Sequence, residues 1–216
     1  MKRILLLVSI IFAAFICHAQ VSDADAAKAL QLVSASKSEI GLSDNDLSQV
    51  KVTTSYFDRS TGLTMVYLQQ TYAGIPILKQ IMPLAFNNGK LVSKAGAFEH
   101  SMDQLVDIKS AIPAVSASSA VQYAVTDRKL TASKMPVVIN TKENGRKIEF
   151  NDMGVSNENI TAELLWVPYE ESIKKENTIY TITRMRLAWQ VYIIQSTSSD
   201  YWLVCIDAIN NKTLRV

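Results

Sequence analysis

Leu63-Thr64-Met65-Val66-Tyr67-Leu68-Gln69-Gln70-Thr71-Tyr72-Ala73-Gly74-Ile75-Pro76-Ile77-Leu78-Lys79-Gln80-Ile81-Met82-Pro83-Leu84-Ala85-Phe86-Asn87-Asn88-Gly89-Lys90 holds two strands and the punctuation that folds them. Leu63 to Tyr72 has the branched and aromatic residues of a strand. Gly74-Ile75-Pro76 breaks it, because Pro donates nothing to a ladder. Ile77 to Phe86 is a further strand. Asn87-Asn88-Gly89-Lys90 is a hairpin turn, since Asn-Gly accepts positive φ at both central positions. Leu91 to Phe98 pairs back across that turn. Working outward, the cluster Asp58-Arg59-Ser60-Thr61-Gly62 turns the chain from an earlier strand, Val50 to Tyr56. A helix near 23–38 precedes the meander. Ser22 caps it, Asp25 reaches back, Ala26, Leu30 and Val33 recur at helical spacing, and Gly41 stops it.

The pattern then repeats. Residues 101–115, with Pro113, form a linker. Ser116 caps a second helix near 116–129, whose stripe is Ala117, Ala120, Val121, Ala124 and Val125. Strands follow at Pro136 to Asn140 and Arg146 to Phe150, flanking Lys142-Glu143-Asn144-Gly145. Further strands are Ala162 to Tyr169, Met185 to Gln195 and Tyr201 to Ala208, and Asn210-Asn211-Lys212 turns into a last short one. The charged stretch Glu170 to Glu176 reads as a loop between strands, either simply solvated or a docking loop. The fold class expected is α+β, with two units over 20–100 and 116–216. In each, one helix packs on a curved antiparallel sheet.

Residues 1–19 read as a secretory signal. Met1-Lys2-Arg3 opens it, an apolar run from Ile4 to Ile16 follows, and Cys17 and Ala19 are small residues suited to a cut after Ala19. The run is shorter than the ~20 residues that span a bilayer. The expectation is a secreted or periplasmic protein with no membrane span after cleavage. The whole chain of 216 residues has 22 basic and 20 acidic residues. Lys2 and Arg3 belong to the leader, so the remainder is electrically balanced. A balanced chain without a basic run lacks the footprint of a nucleic-acid binder.

Little in the sequence can do chemistry alone. Past the leader there is one cysteine, Cys205, and one histidine, His100. No H-E-x-x-H, G-x-S-x-G or phosphate-binding glycine loop occurs. Cys205 sits in the apolar run Trp202-Leu203-Val204-Cys205-Ile206, where a buried small residue is expected rather than a nucleophile. A hydrolase built on His100 is a third-ranked alternative, because triads are defined by geometry. Trp166, Trp189 and Trp202 are expected as core anchors. Asn159-Ile160-Thr161 and Asn211-Lys212-Thr213 fit the glycosylation pattern.

Leu68 to Ile77 with Asn88-Gly89-Lys90-Leu91-Val92-Ser93 resembles the fungalysin/thermolysin propeptide (FTP) motif. Tyr67, Gln69 (or Gln70), Tyr72, Gly74, Ile75 and Pro76 occupy its signature places, and Gly89 its turn. The second unit resembles the PepSY-like half of the same proregions. Ser116 to Val121 looks like its opening helix. Leu187-Ala188-Trp189-Gln190-Val191 and Trp202-Leu203-Val204-Cys205-Ile206-Asp207-Ala208 look like its two hallmark strands, with Trp189, Trp202 and Asp207 as marker residues. Where that family commonly has T-G-E, Asn210-Asn211-Lys212 stands, and Asn can hold a positive-φ position. The resemblance implies two cystatin-like units forming the proregion of a secreted fungalysin-family zinc metallopeptidase. Such a proregion inhibits the peptidase and assists its folding. The implied partner is the catalytic domain, in cis or in trans, and the implied zinc belongs to that partner. No cofactor, metal or catalytic residue is expected in this chain. The alternative is a free-standing secreted cystatin-like module with a different protein or small-ligand partner.

Overall fold

Serine side chains cap the starts of three helices. A computed structural model describes residues 22–107, 110–175 and 178–216, so the leader read at 1–19 lies outside the described residues. Helix α1, Asp23–Ala35, starts where Ser22 Oγ accepts from Asp25 N at 3.2 Å and donates to the Asp25 carboxylate at 2.7 Å. Two short helices follow. The first, α2 (Lys37–Ile40), ends at Gly41 with φ of 83°. The second, α3 (Asp44–Ser48), has a reciprocal capping box between Ser43 and Asp46. The expected stripe on α1 is shifted: Ala29 and Val33 are buried, while Leu30 is 36% exposed. An i, i+4 pair faces the sheet, and small Ala29 lets the helix sit close.

Strands β1 (Val50–Asp58), β2 (Leu63–Tyr72), β3 (Ile75–Asn87) and β4 (Lys90–Lys94) form the antiparallel meander. Asn88 and Gly89, at φ 47° and 80°, make the turn that the Asn-Gly pair predicts. Pro76 lies inside β3 rather than before it. The pairing explains this. Pro76 faces Thr71, whose N–H is spent on Gln49 O at 2.7 Å, so Pro76 is not asked for a ladder bond.

The stretch read as a linker contains α4 (Met102–Leu105), and Val106 bridges to Met185. Helix α5, Ala117–Asp127, is capped by Ser116 and buries the five residues of its expected stripe. Strands β5 (Val138–Lys142), β6 (Lys147–Phe150), β7 (Ile160–Lys175), β8 (Thr178–Ile194), β9 (Tyr201–Asp207) and β10 (Thr213–Arg215) complete the chain. Residues 170–175 do not form the expected loop. They continue β7 and pair with β8 as far as Lys175 opposite Thr178. A continuous antiparallel ladder, in which Ile173 faces Tyr180, forms this two-stranded arm, which individual residue polarity does not reveal.

The architecture is α+β and mostly sheet. One hydrogen-bonded network runs β1-β2-β3-β7-β8-β9-β10, with β4 on β3 and β5-β6 on β7. Among the described residues the one parallel step between its strands is a bridge between Ile77 and Trp166. Two main cores lie on it. The first gathers α1 residues with Val52, Val66, Leu68, Met82, Leu84 and Phe86. The second gathers α5 with Trp166, Leu187, Trp189, Val191 and Ile206. A small third cluster, Leu165, Val167, Ala188 and Cys205, is separate from both.

Candidate functional site

Five of the marker residues, Gln69, Tyr72, Gly74, Ile75 and Pro76, converge on the hairpin joining β2 to β3. Its turn is Ala73-Gly74, at φ 50° and 73°. Two consecutive left-handed residues match the twist of the flanking strands. Beyond the turn, β3 leaves the core of its own meander. Ile75 and Ile77, 3% and 1% exposed, are buried in the α5 core. The tip of the first half is thus a peg set into the second.

Three side-chain hydrogen bonds fix the peg to its surroundings. The Trp166 indole Nε1–H donates to Tyr72 O at 2.9 Å. The two rings meet edge to face, with centroids 5.6 Å apart. The Tyr72 hydroxyl donates to Asp103 Oδ1 at 2.6 Å. That hydrogen bond, with some burial, raises the phenol above its ordinary pKa. The Arg146 guanidinium donates to Gly74 O through Nη1 and to Glu143 O through Nε, the latter at 3.0 Å. A Cβ on Gly74 would lie 3.2 Å from Arg146 Nη1. Lys51 pairs with Glu143 at 3.3 Å across the same junction, but both are substantially exposed, so this pair contributes little.

The glutamines brace the hairpin from within. Between Gln69↔Ile81 and Thr71↔Pro76, one residue of β2 faces four of β3. This bulge puts Lys79 at φ 63°. The Gln69 Nε2 lies 2.8 Å from Ile77 O and 3.0 Å from Gln80 O, closing the bulge across the strands. Gln70, 5% exposed, donates to Glu99 O at 2.7 Å and accepts from Glu99 N at 2.9 Å. Its amide stands in for a strand partner and ties the end of the meander to β2.

The remaining marker residues sit elsewhere. Tyr67 stacks on Tyr56, with centroids 6.5 Å apart, and Gly89 is in the distant β3–β4 turn. Trp189 is buried and donates to Val115 O at 2.8 Å, so it anchors the approach to α5. Trp202 is half-buried under the Arg128 guanidinium, 5.3 Å from the ring centroid. Asp207, 1% exposed, accepts from Ile209 N at 2.8 Å and Asn210 N at 3.2 Å. It shapes the turn in which Asn211 adopts φ of 57°. Its other oxygen faces Arg186, which also pairs with Asp107.

The residues that complete the junction are Trp166, Arg146 and Asp103. Arg146 and Asp103 carry no local signal, because their partners lie 72 and 31 positions away. Trp166 was readable only as a core anchor. The reactive residue types are placed without partners for chemistry. His100 is exposed and makes no side-chain hydrogen bond among the described residues. Cys205 is 1% exposed, and burial pushes its thiol up. Among the described residues no three His, Cys, Asp or Glu side chains are grouped to hold a metal. No helix among them is long and apolar enough to cross a membrane. Asn159 is exposed, whereas Asn211 keeps its side-chain oxygen buried.

No curated protein matches the chain. Residues 48–98 match the family described as Fungalysin/Thermolysin Propeptide Motif. The match begins at the end of α3, spans β1 to β4 and ends at Phe98, so it encloses the whole peg. These residues therefore carry a propeptide motif.

Proposed function

We propose that this chain is the proregion of a secreted fungalysin/thermolysin-type zinc metallopeptidase. It holds the enzyme inactive and assists its folding by stoichiometric binding, without catalysis of its own. The match of residues 48–98 to the propeptide motif carries this reading. The junction supports it physically. A proregion must present a surface complementary to another protein, and a surface spread over two halves needs them held in fixed relation. The peg supplies that rigidity, which lowers the cost of ordering on association. Complexes of proteases with protein inhibitors bury roughly 1,600 Å² in total, which a sheet of this extent can offer. Binding native-like peptidase more tightly than its unfolded chain also drives folding by mass action. Zinc, in this account, is bound by the partner, and the partner is engaged in cis or in trans after export.

The test uses the purified chain and a fungalysin- or thermolysin-type peptidase encoded with it. The reading expects inhibition that reaches its end point at one chain per enzyme, and improved recovery of activity on refolding. Neither effect on any such peptidase would end it.

A further inference from the structure

The strand β5 is an edge strand, and among the described residues it pairs with β6 alone. All five of its residues are exposed. Val137, Val138 and Ile139 are each more than half exposed, as is Met135 just before them. Val137 directs its N–H to Asn151 Oδ1 and its C=O to Asn151 N, so its polar groups face β6. Val138, one position on, turns its N–H and C=O to the open side. Free apolar edges of this kind are normally blunted by charge or covered, because they recruit strands. At the N-terminal end of this edge lies a cavity of about 420 Å³ whose apolar wall is Val125, Leu130, Met135 and Met153, with Gln122 and Lys134 among its polar lining. A cavity of that size takes an apolar side chain, and its two methionines adapt to the shape of the guest.

The segment 129–142 carries three lysines and no acidic residue. Lys129, next in sequence to the cavity-lining Leu130, and Lys142, at the far end of β5, are exposed and have no ion pair among the described residues. Lys134 lies between them, 3.3 Å from Asp152. Two copies pairing antiparallel through β5 would bring the Lys142 end of one to the Lys134 end of the other. That opposes self-association and favours carboxylates at both ends of an incoming strand.

We propose that the β5 edge and its adjoining cavity dock an extended polypeptide segment of apolar residues flanked by carboxylates, supplied by a protein partner. Only the identity of that partner, the peptidase, rests on the proregion reading. The segment adds to the sheet through main-chain bonds to Val138, seats one side chain in the methionine-lined cavity, and meets the lysines at its ends.

The experiment titrates the full chain with two synthetic peptides of alternating valine and threonine, one ended by glutamates and one by lysines. Amide exchange at Val138 and the dissociation constant are followed. The expected result is slowed exchange at Val138 and binding about fivefold tighter for the glutamate peptide, with the preference shrinking at high salt. Val138→Pro removes the outward N–H and abolishes binding. Ile139→Asp, at an exposed position that tolerates change, repels the glutamate peptide if Val138→Pro fails to fold. Equal binding of the two peptides, protection elsewhere than β5, or self-association through β5 overturns the proposal. The two readings separate on the enzyme. If wild type and Ile139→Asp inhibit the peptidase equally, the docking edge is wrong and the proregion reading stands. If the glutamate peptide binds at β5 but the wild-type chain inhibits no peptidase, the edge stands and the proregion reading is wrong.

Discussion

Ile77→Ala tests the peg where it is most exposed to refutation. Ile77 belongs by sequence to the meander of the first half, yet it is 1% exposed within the α5 core. Removing three carbons from a filled site costs their transfer energy plus a cavity, about 2–5 kcal/mol. With about 3 kcal/mol lost and a urea dependence of roughly 2–3 kcal/mol per molar, the midpoint falls by about 1–1.5 M. The chain carries its own reporter. Its three tryptophans, Trp166, Trp189 and Trp202, all lie in the second half. Urea unfolding followed by tryptophan emission should therefore report a change made in the first half, and far-ultraviolet circular dichroism should give the same midpoint. Phe57→Ala, at a position 61% exposed, is the control and should move neither. A tryptophan transition that stays in place while the circular dichroism splits in two would refute the peg, because the halves would then be stable independently.

Three further outcomes follow from the same junction. Gly74→Ala and Gly89→Ala should each cost about 1–2 kcal/mol for a left-handed alanine. Gly74→Ala should exceed Gly89→Ala, whose Cβ would meet nothing within 4 Å, and the excess should vanish in an Arg146→Ala background, as a double-mutant cycle on urea midpoints would show. Gln70→Leu leaves the N–H and C=O of Glu99 without their partner and should cost about 2 kcal/mol, with faster amide exchange at Glu99. The Tyr72 phenol is raised above its unfolded value, so its contribution is complete below that value and is lost as pH rises through the folded one. Stability measured from pH 9 to 11 should fall less steeply in Tyr72→Phe than in wild type.

Local chemistry was legible in the sequence, and distant pairing was not. Ser22 and Ser116 cap the two longer helices, and Asn88-Gly89 turns the hairpin, because each acts through atoms a few residues away. Alternating apolar residues located the strands, since they reflect which face is buried. The errors at Pro76, in the 170–175 arm and at Leu30 involve partners far along the chain. Pro76 reads as a strand breaker until Gln49 is seen to take the Thr71 N–H. The 170–175 arm reads as a charged loop until β8 is laid against it. Leu30 reads as core until the sheet selects Ala29 and Val33. The markers Tyr72, Gly74, Ile75 and Pro76 could be quoted from sequence, but not the surroundings that use them. Trp166, Arg146 and Asp103 meet the peg only in the folded chain.

The most direct measurement of the central claim is a titration of a co-encoded fungalysin- or thermolysin-type peptidase with the purified chain, read as residual peptidase activity. The account predicts a linear fall to zero at one equivalent, with the chain recovered intact in a one-to-one complex by size-exclusion chromatography. Full activity at several equivalents, with the chain eluting separately or cut as an ordinary substrate, would contradict it.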